Sequence, residues 1–169
     1  MKVEKSGGIA KVSGFYGQFP TTLDEKGRFA LPAKLRNVVG PSGKPILEGT
    51  IVLTKGLEGC LSLYPEAEWE EIQKRLSSQN FTHADFRYFS RRFYSMAAAV
   101  SPDRSGRVLI PANLLAEAQL KKDLLLIGVN RMIEIWNPAN YDKYVDDYPG
   151  SFEDVAERLY SGPGGDGQQ

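Results

Sequence analysis

Thr22-Leu-Asp-Glu-Lys-Gly-Arg-Phe-Ala-Leu-Pro-Ala-Lys-Leu35 is written a second time in the chain, as Ser101-Pro-Asp-Arg-Ser-Gly-Arg-Val-Leu-Ile-Pro-Ala-Asn-Leu114. Asp24, Gly27, Arg28, Pro32, Ala33 and Leu35 recur as Asp103, Gly106, Arg107, Pro111, Ala112 and Leu114. The spacing is a constant 79 residues, from Asp24 to Asp103 and from Leu35 to Leu114. Leu31 and Ile110 match in kind. A repeat at fixed spacing means two copies of one supersecondary unit, so the architecture follows from it.

The unit has a local physics of its own. Asp opens a turn well, because its carboxylate can accept backbone N–H groups ahead of it. Gly27 and Gly106 can adopt a positive φ without a Cβ clash. A tight hairpin is therefore predicted, with a left-handed residue near its end. Arg-Phe-Ala-Leu and Arg-Val-Leu-Ile then read as short strands. Pro32 and Pro111 fall at the expected first helical position, where a missing N–H costs nothing. Each copy reads as strand, turn with a projecting arginine, strand and short helix.

The similarity continues past the turn. Ile51–Thr54 and Cys60–Tyr64 read as strands joined by a turn over Lys55–Gly59, and Leu124–Gly128 and Met132–Trp136 repeat them. Tyr64 aligns with Trp136 and Trp69 with Tyr141. The spacing here is 72 residues, from Tyr64 to Trp136, and the longer Pro41–Gly49 loop absorbs the difference. Pro20 marks the strand over Phe15–Leu23 as an edge strand. Helices are expected over 32–39, 65–78, 82–98, 137–148 and 151–160. Trp69, Ile72 and Leu76 form an apolar stripe on one, and Glu70 and Lys74 an i,i+4 pair. Phe86, Phe89, Phe93 and Met96 line a face of the next, a pattern of core packing. Arg87, Arg91 and Arg92 lie off that face, as surface or subunit contacts.

Composition narrows the function. The chain has 169 residues, 41% of them hydrophobic, and a formal net charge of zero. That charge is unevenly spread. Residues 137–169 hold seven acidic and two basic side chains, a charge of −5, leaving +5 on residues 1–136. Such asymmetry suits a basic face and an acidic tail. No membrane span or signal peptide is read from the sequence. One cysteine, Cys60, and one histidine, His83, leave no disulfide framework and no metal-ligand spacing. Cys60 reads as a small buried hydrophobe and His83 as a surface residue. No phosphate-cradling glycine motif is present, so no cofactor is expected.

Two roles remain for the turns. Asp24 and Asp103 could form a catalytic carboxylate pair in a hydrolase, but a turn role explains each without chemistry. Lys26, Arg28, Arg104 and Arg107 are cations presented on a duplicated turn. The plainer reading pairs each arginine with its own aspartate. The other reading uses them on nucleic acid, since a planar guanidinium donates two parallel hydrogen bonds to phosphate or guanine.

The run 22–36 closely resembles the MraZ family of bacterial regulators linked to the division and cell-wall gene cluster. The second Asp-x-x-Gly-Arg-…-Ile-Pro unit and the closing Ile-Glu-Ile-Trp136 look like that family too, and the resemblance covers roughly Phe15 to Tyr148. It implies an α+β fold of two tandem, pseudo-repeated AbrB-like swapped-hairpin β-barrel units with flanking helices. Their bounds are a flexible leader over 1–14, a first repeat with its helix over 15–80 and a linking helix over 81–99. The second repeat covers 100–148, and a C-terminal helix and disordered tail cover 149–169. The resemblance also implies a homo-oligomeric ring, an octamer among its forms, acting on repeated elements of double-stranded promoter DNA in the cytoplasm and nucleoid. DNA contact then falls to Lys26, Arg28, Arg104 and Arg107, and Asp24, Gly27, Asp103 and Gly106 organise the turns. No catalytic residue, metal, cofactor, membrane or small-molecule substrate is implied. The rival is a ring-forming structural or interaction protein whose turn arginines serve subunit contacts. The chain departs from the family pattern in its long leader and in Arg104-Ser105 where the first copy has Glu25-Lys26. That second departure makes the first turn the expected dominant DNA contact.

Overall fold

The computed structural model describes residues 13–161. The expected flexible leader and disordered tail fall, but for Ser13, Gly14 and Ser161, outside these residues. The chain divides after Pro138 into two compact units, close to the point where the charge changes sign.

In the first unit the first copy runs β1 (Phe15–Thr22), β2 (Arg28–Ala30), α1 (Ala33–Arg36), β3 (Ile51–Lys55), β4 (Leu61–Pro65) and α2 (Glu66–Ser77). Helix α3 (Ala84–Ser95) leads to the second copy: β5 (Ala98–Val100), β6 (Arg107–Leu109), α4 (Ala112–Glu117), β7 (Asp123–Asn130) and β8 (Ile133–Trp136). The fold is mixed α+β with antiparallel strand pairing.

The two copies interlock. Among the described residues the strands form a six-stranded sheet, β1-β7-β8-β4-β3-β5, and a two-stranded ribbon, β2-β6. Each copy's first strand pairs with the third strand of the other copy. Thr21 lies opposite Leu124, and its repeat counterpart Val100 lies opposite Ile51. The like strands β4 and β8 meet at the centre of the sheet, and β2 meets β6 with Phe29 opposite Val108. The repeat is thus an internal pseudo-two-fold, with strands of both copies in one sheet rather than in two barrels side by side.

One core serves both copies. Phe29 and Val108, Leu31 and Ile110, Leu35 and Leu114, Leu53 and Leu126, and Leu63 and Ile135 are all buried in it. Burying a side chain of this size stabilises by about 1.5–3 kcal/mol. The alternation that put Phe29 and Leu31 on one face of a strand therefore sets which face of the ribbon turns inward. Edge position for β1, read from Pro20, is what the sheet order shows.

Several local expectations shift. Pro32 and Pro111 sit just before their helices, with φ of −55° and −57° and extended ψ, rather than as the first helical residues. The helix expected over 82–98 ends at Ser95, and Ala98–Val100 is the strand β5. Ala97, Ala98 and Ala99 favour helix locally, but pairing with β3 overrides that preference. Lys74 bonds Glu71 at 2.6 Å rather than Glu70. On α3 only Phe93 of the aromatic stripe is a core residue; Phe89 is 40% exposed. Phe93 stacks on Trp69 and on Phe89, with centroids 5.3 and 5.2 Å apart. Its carbonyl accepts a 2.7 Å hydrogen bond from the buried Thr54 hydroxyl, tying α3 to β3.

The second unit holds α5 (Pro138–Asp147), but for its first residue, and α6 (Phe152–Tyr160). Ser151 caps α6 reciprocally: its Oγ accepts the Asp154 N–H at 3.1 Å, and the Asp154 carboxylate accepts the Ser151 N–H at 2.9 Å. Among the described residues no helix is long and apolar enough to cross a membrane.

Candidate nucleic-acid interface

The two turns are built alike, bond for bond. The Asp24 N–H donates to the Arg28 carbonyl at 2.8 Å, and the Gly27 N–H to the Asp24 carbonyl at 3.0 Å. Asp24 Oδ1 accepts the N–H groups of Lys26 and Arg28, at 2.9 and 3.0 Å. In the second copy the Asp103 and Gly106 N–H groups each donate at 2.9 Å, to Arg107 and Asp103. Asp103 Oδ1 accepts from Ser105 and Arg107, both at 2.9 Å. Gly27 has a φ of 75° and Gly106 of 73°, the left-handed conformation expected of them.

The other carboxylate oxygen holds the arginine. Asp24 Oδ2 accepts from Arg28 Nε and Nη2, each at 2.9 Å. Asp103 Oδ2 accepts from Arg107 Nε at 2.8 Å. The expected two-pronged fork of Arg28 is therefore engaged inside its own turn, and its remaining nitrogen, Nη1, faces the Asp103 carboxylate of the other copy. Backbone N–H donation from the following arginine is the largest influence on each aspartate and keeps its pKa below the ordinary carboxylate value; the guanidinium adds to it, and desolvation opposes it. Both carboxylates thus remain charged acceptors, an arrangement for holding a loop rather than for moving protons.

The interlocked fold sets the turns at the two ends of the ribbon, each beside the strand end of the other copy. The Leu31 N–H donates to the Gly106 carbonyl and the Ile110 N–H to the Gly27 carbonyl, both at 2.9 Å. Arg28 and Arg107 keep 25% and 39% of their side chains exposed. Lys26 and Arg104 are exposed at the turn tips and, among the described residues, have no carboxylate partner. Because the strands are antiparallel, the structure brings Lys26 and Arg28 to one end of the β2–β6 ribbon and Arg104 and Arg107 to the other.

A fifth cation, outside the repeated motif, arrives there too. The Arg36 side chain lies over Gly106, so close that a Cβ on that glycine would meet its Nη1 at 2.6 Å. Over Gly27 the corresponding place belongs to Leu115, 3.5 Å from such a Cβ. Arg36 and Leu115 are repeat counterparts at the 79-residue spacing. That mismatch is visible in the sequence, but its meaning depends on the strand exchange.

Other candidates are accounted for. Arg87 donates to the carbonyls of Phe81 and Thr82, and Arg92 pairs with Glu117. The Cys60 thiol is buried and donates to the Leu57 carbonyl, and burial pushes its pKa up to about 12, so it is inert as a nucleophile. His83 is exposed, just before α3. Among the described residues no group of His, Cys, Asp or Glu side chains is placed to hold a metal ion.

The sequence description of the family "MraZ protein, putative antitoxin-like" matches the chain twice, over residues 15–92 and 93–161. The chain belongs to the MraZ family. Each match holds one of the two turns, and the border between them falls inside α3. Among relatives in the family, the "Transcriptional regulator MraZ" of Syntrophomonas wolfei is 41% identical over 145 residues, covering 86% of this chain and 96% of that protein. The protein of that name from Heliobacterium modesticaldum is 40% identical over the same coverage. A third, from Thermoanaerobacter sp., is 40% identical over 143 residues, 85% of this chain and 94% of its own. MraZ proteins are transcriptional regulators and not enzymes, which removes the hydrolase reading of Asp24 and Asp103.

Proposed function

We propose that this transcriptional regulator binds double-stranded promoter DNA in a sequence-specific way, through the paired turns of its two copies. Lys26 and Arg104 reach phosphates, while Arg28 and Arg107, stiffened by Asp24 and Asp103, present the exposed parts of their side chains to the duplex. The observation that carries this is that one short ribbon holds two like turns, one at each end, with four exposed or part-exposed cations and Arg28 of one turn reaching Asp103 of the other. A guanidinium already held by its own aspartate loses little freedom when it meets DNA, which favours binding.

The finer reading follows the family resemblance. AbrB-like swapped-hairpin units carry the turns, and the copies of the chain close into a homo-oligomeric ring. The ring acts in the cytoplasm, on the nucleoid, at repeated promoter elements of the division and cell-wall gene cluster. A neutral chain with few cations per copy binds one short site weakly, because salt-dependent affinity scales with phosphate contacts. Several turns on one assembly raise the affinity for every contact after the first, by about 10²–10⁴-fold in total.

The test is a gel shift with the gene's own upstream DNA, with and without excess unrelated duplex. Survival of the complex under competition supports the regulator reading. Loss of it, with ring size intact by light scattering, supports the rival in which the turn arginines serve subunit contacts. Shortening the upstream DNA from several repeats to one should lower affinity steeply, and equal affinity would argue against a ring engaging several repeats.

A further inference from the structure

We infer that Arg36, carried by the first copy, is a phosphate-binding residue of the second copy's turn. This rests on the DNA-binding reading above and goes beyond it, since the Asp-x-x-x-Arg motifs do not contain Arg36.

The inference starts from where the strand exchange puts this side chain. α1 follows β2, and β2 pairs with β6, so the last residue of α1 emerges beside the turn that precedes β6. There Arg36 Cδ and Nη1 would lie 3.1 and 2.6 Å from a Cβ on Gly106. The backbone of that glycine is buried under the arginine, so the glycine serves both the positive φ of the turn and the seat of the side chain. Arg36 itself is exposed and, among the described residues, pairs with no carboxylate.

A seated, unpaired guanidinium is what an anion site needs, because part of its side-chain entropy is already lost. Arg36 and Arg104 border one cleft of about 510 Å³ beside the turn, which Pro45, Leu47 and Glu48 also line. Asp103 lines it as well, but its carboxylate is occupied by two backbone N–H groups and Arg107. Glu48 is exposed and has no cation partner among the described residues, so it opposes an incoming phosphate. The first turn has no equivalent cation, since Leu115 fills that place. The two turns therefore hold DNA unequally: Lys26 and Arg28 at one, and Arg36, Arg104 and Arg107 at the other. This reverses the dominance expected from Lys26 alone.

The experiment measures binding of the full chain to a labelled duplex of its own upstream region, and to a scrambled duplex, across a salt series. Arg36→Leu copies the residue that the first turn already tolerates. It should weaken both duplexes by a similar factor and flatten the slope of log affinity against log salt by about 0.9 for each phosphate that is no longer neutralised. Arg36→Lys should keep the wild-type slope. Leu115→Arg should steepen it, and Glu48→Gln should tighten binding to both duplexes. An unchanged slope for Arg36→Leu overturns the inference, and so does equal damage by Arg36→Lys together with a lowered Tm, which marks a packing role. Wild-type protein that binds neither duplex refutes the DNA reading and this inference with it. Wild-type binding with an unaffected Arg36→Leu variant refutes this inference alone.

Discussion

Arg28 Nη1 stands 3.8 Å from the carboxylate of Asp103, so the arginine of one copy faces the aspartate of the other. The ribbon β2–β6 creates this contact, which makes the two turns one electrostatic unit. Asp24→Ala and Asp103→Ala should each lower Tm, because each removes the acceptor for two backbone N–H groups. Combined, they should be non-additive, since both carboxylates act on Arg28. Calorimetry on the two single variants and the double variant measures this; strict additivity would mean the turns are independent.

Acid should find the same carboxylates. Asp24 and Asp103 titrate below the ordinary aspartate value when folded, chiefly through backbone N–H donation. Glu117 is also held down, first by its hydrogen bond from Lys55. For a group with a depressed folded pKa, the stabilisation is complete above the unfolded value, about 3.9 for Asp. It is lost as pH falls from there through the folded value. Tm should fall over that window, and the fall should be shallower in the Asp24→Asn, Asp103→Asn double variant. A pH profile identical to wild type would show that these groups do not govern acid stability.

Arg28→Ala separates binding from folding less cleanly than an isolated surface arginine would. It removes a half-exposed side chain that completes its own turn and faces Asp103. A lowered Tm and a loss of specific DNA binding should occur together. A good bidentate base contact is worth about 1–3 kcal/mol, and Arg28, already engaged by Asp24 and facing Asp103, should give the low end. Arg104→Ala, at a tip with no described carboxylate partner, should weaken binding with Tm unchanged. Operator titrations and melts on both variants check this, and a loss of stability from Arg104→Ala would contradict it.

Gly27→Ala and Gly106→Ala both place an L side chain at positive φ, which costs about 1–2 kcal/mol. Their surroundings differ. At Gly27 the nearest neighbours stand 3.5 Å from the new Cβ, whereas at Gly106 the methyl displaces Arg36. Similar losses of stability with a larger loss of DNA affinity for Gly106→Ala are expected, by chemical denaturation and binding titration.

Gly128→Ala tests the exchanged strand. A Cβ there would lie 2.5 Å from both Phe15 C and Tyr16 N, in the backbone of β1. Backbone cannot turn aside as a flexible side chain can. Overpacking of this kind costs about 1–3 kcal/mol, and the loss should be concentrated in β1. Hydrogen exchange should show β1 amides released ahead of those in β4, and uniform protection would contradict the placement.

The turn was legible in the sequence because every bond that shapes it is local. Asp24, Gly27 and Arg28 lie within five positions, and residue chemistry alone predicts that the carboxylate accepts N–H groups ahead of it and that the glycine takes a positive φ. Strand existence was legible too for all but β5, down to the edge position marked by Pro20. Strand partnership was not. Alternation says which face of a strand is buried, but Thr21 carries no local sign that Leu124 lies opposite. β5 was hidden for a related reason, since three alanines read as helix until β3 supplies a ladder for them. Arg36 was hidden as well, because a residue's neighbours across the β2–β6 ribbon cannot be counted along the chain.

The reciprocal pairing of β1 with β7 and of β5 with β3 also sets a timetable. β1 leaves the ribosome ahead of every other described strand, and its partner β7 is the last but one. Until β7 emerges, the whole first copy is synthesised with an open edge and an unfilled core. Such long-range pairing slows folding, because loop closure must precede any gain from contact. The first copy must wait for its twin, and through that wait the nascent chain stays open to aggregation.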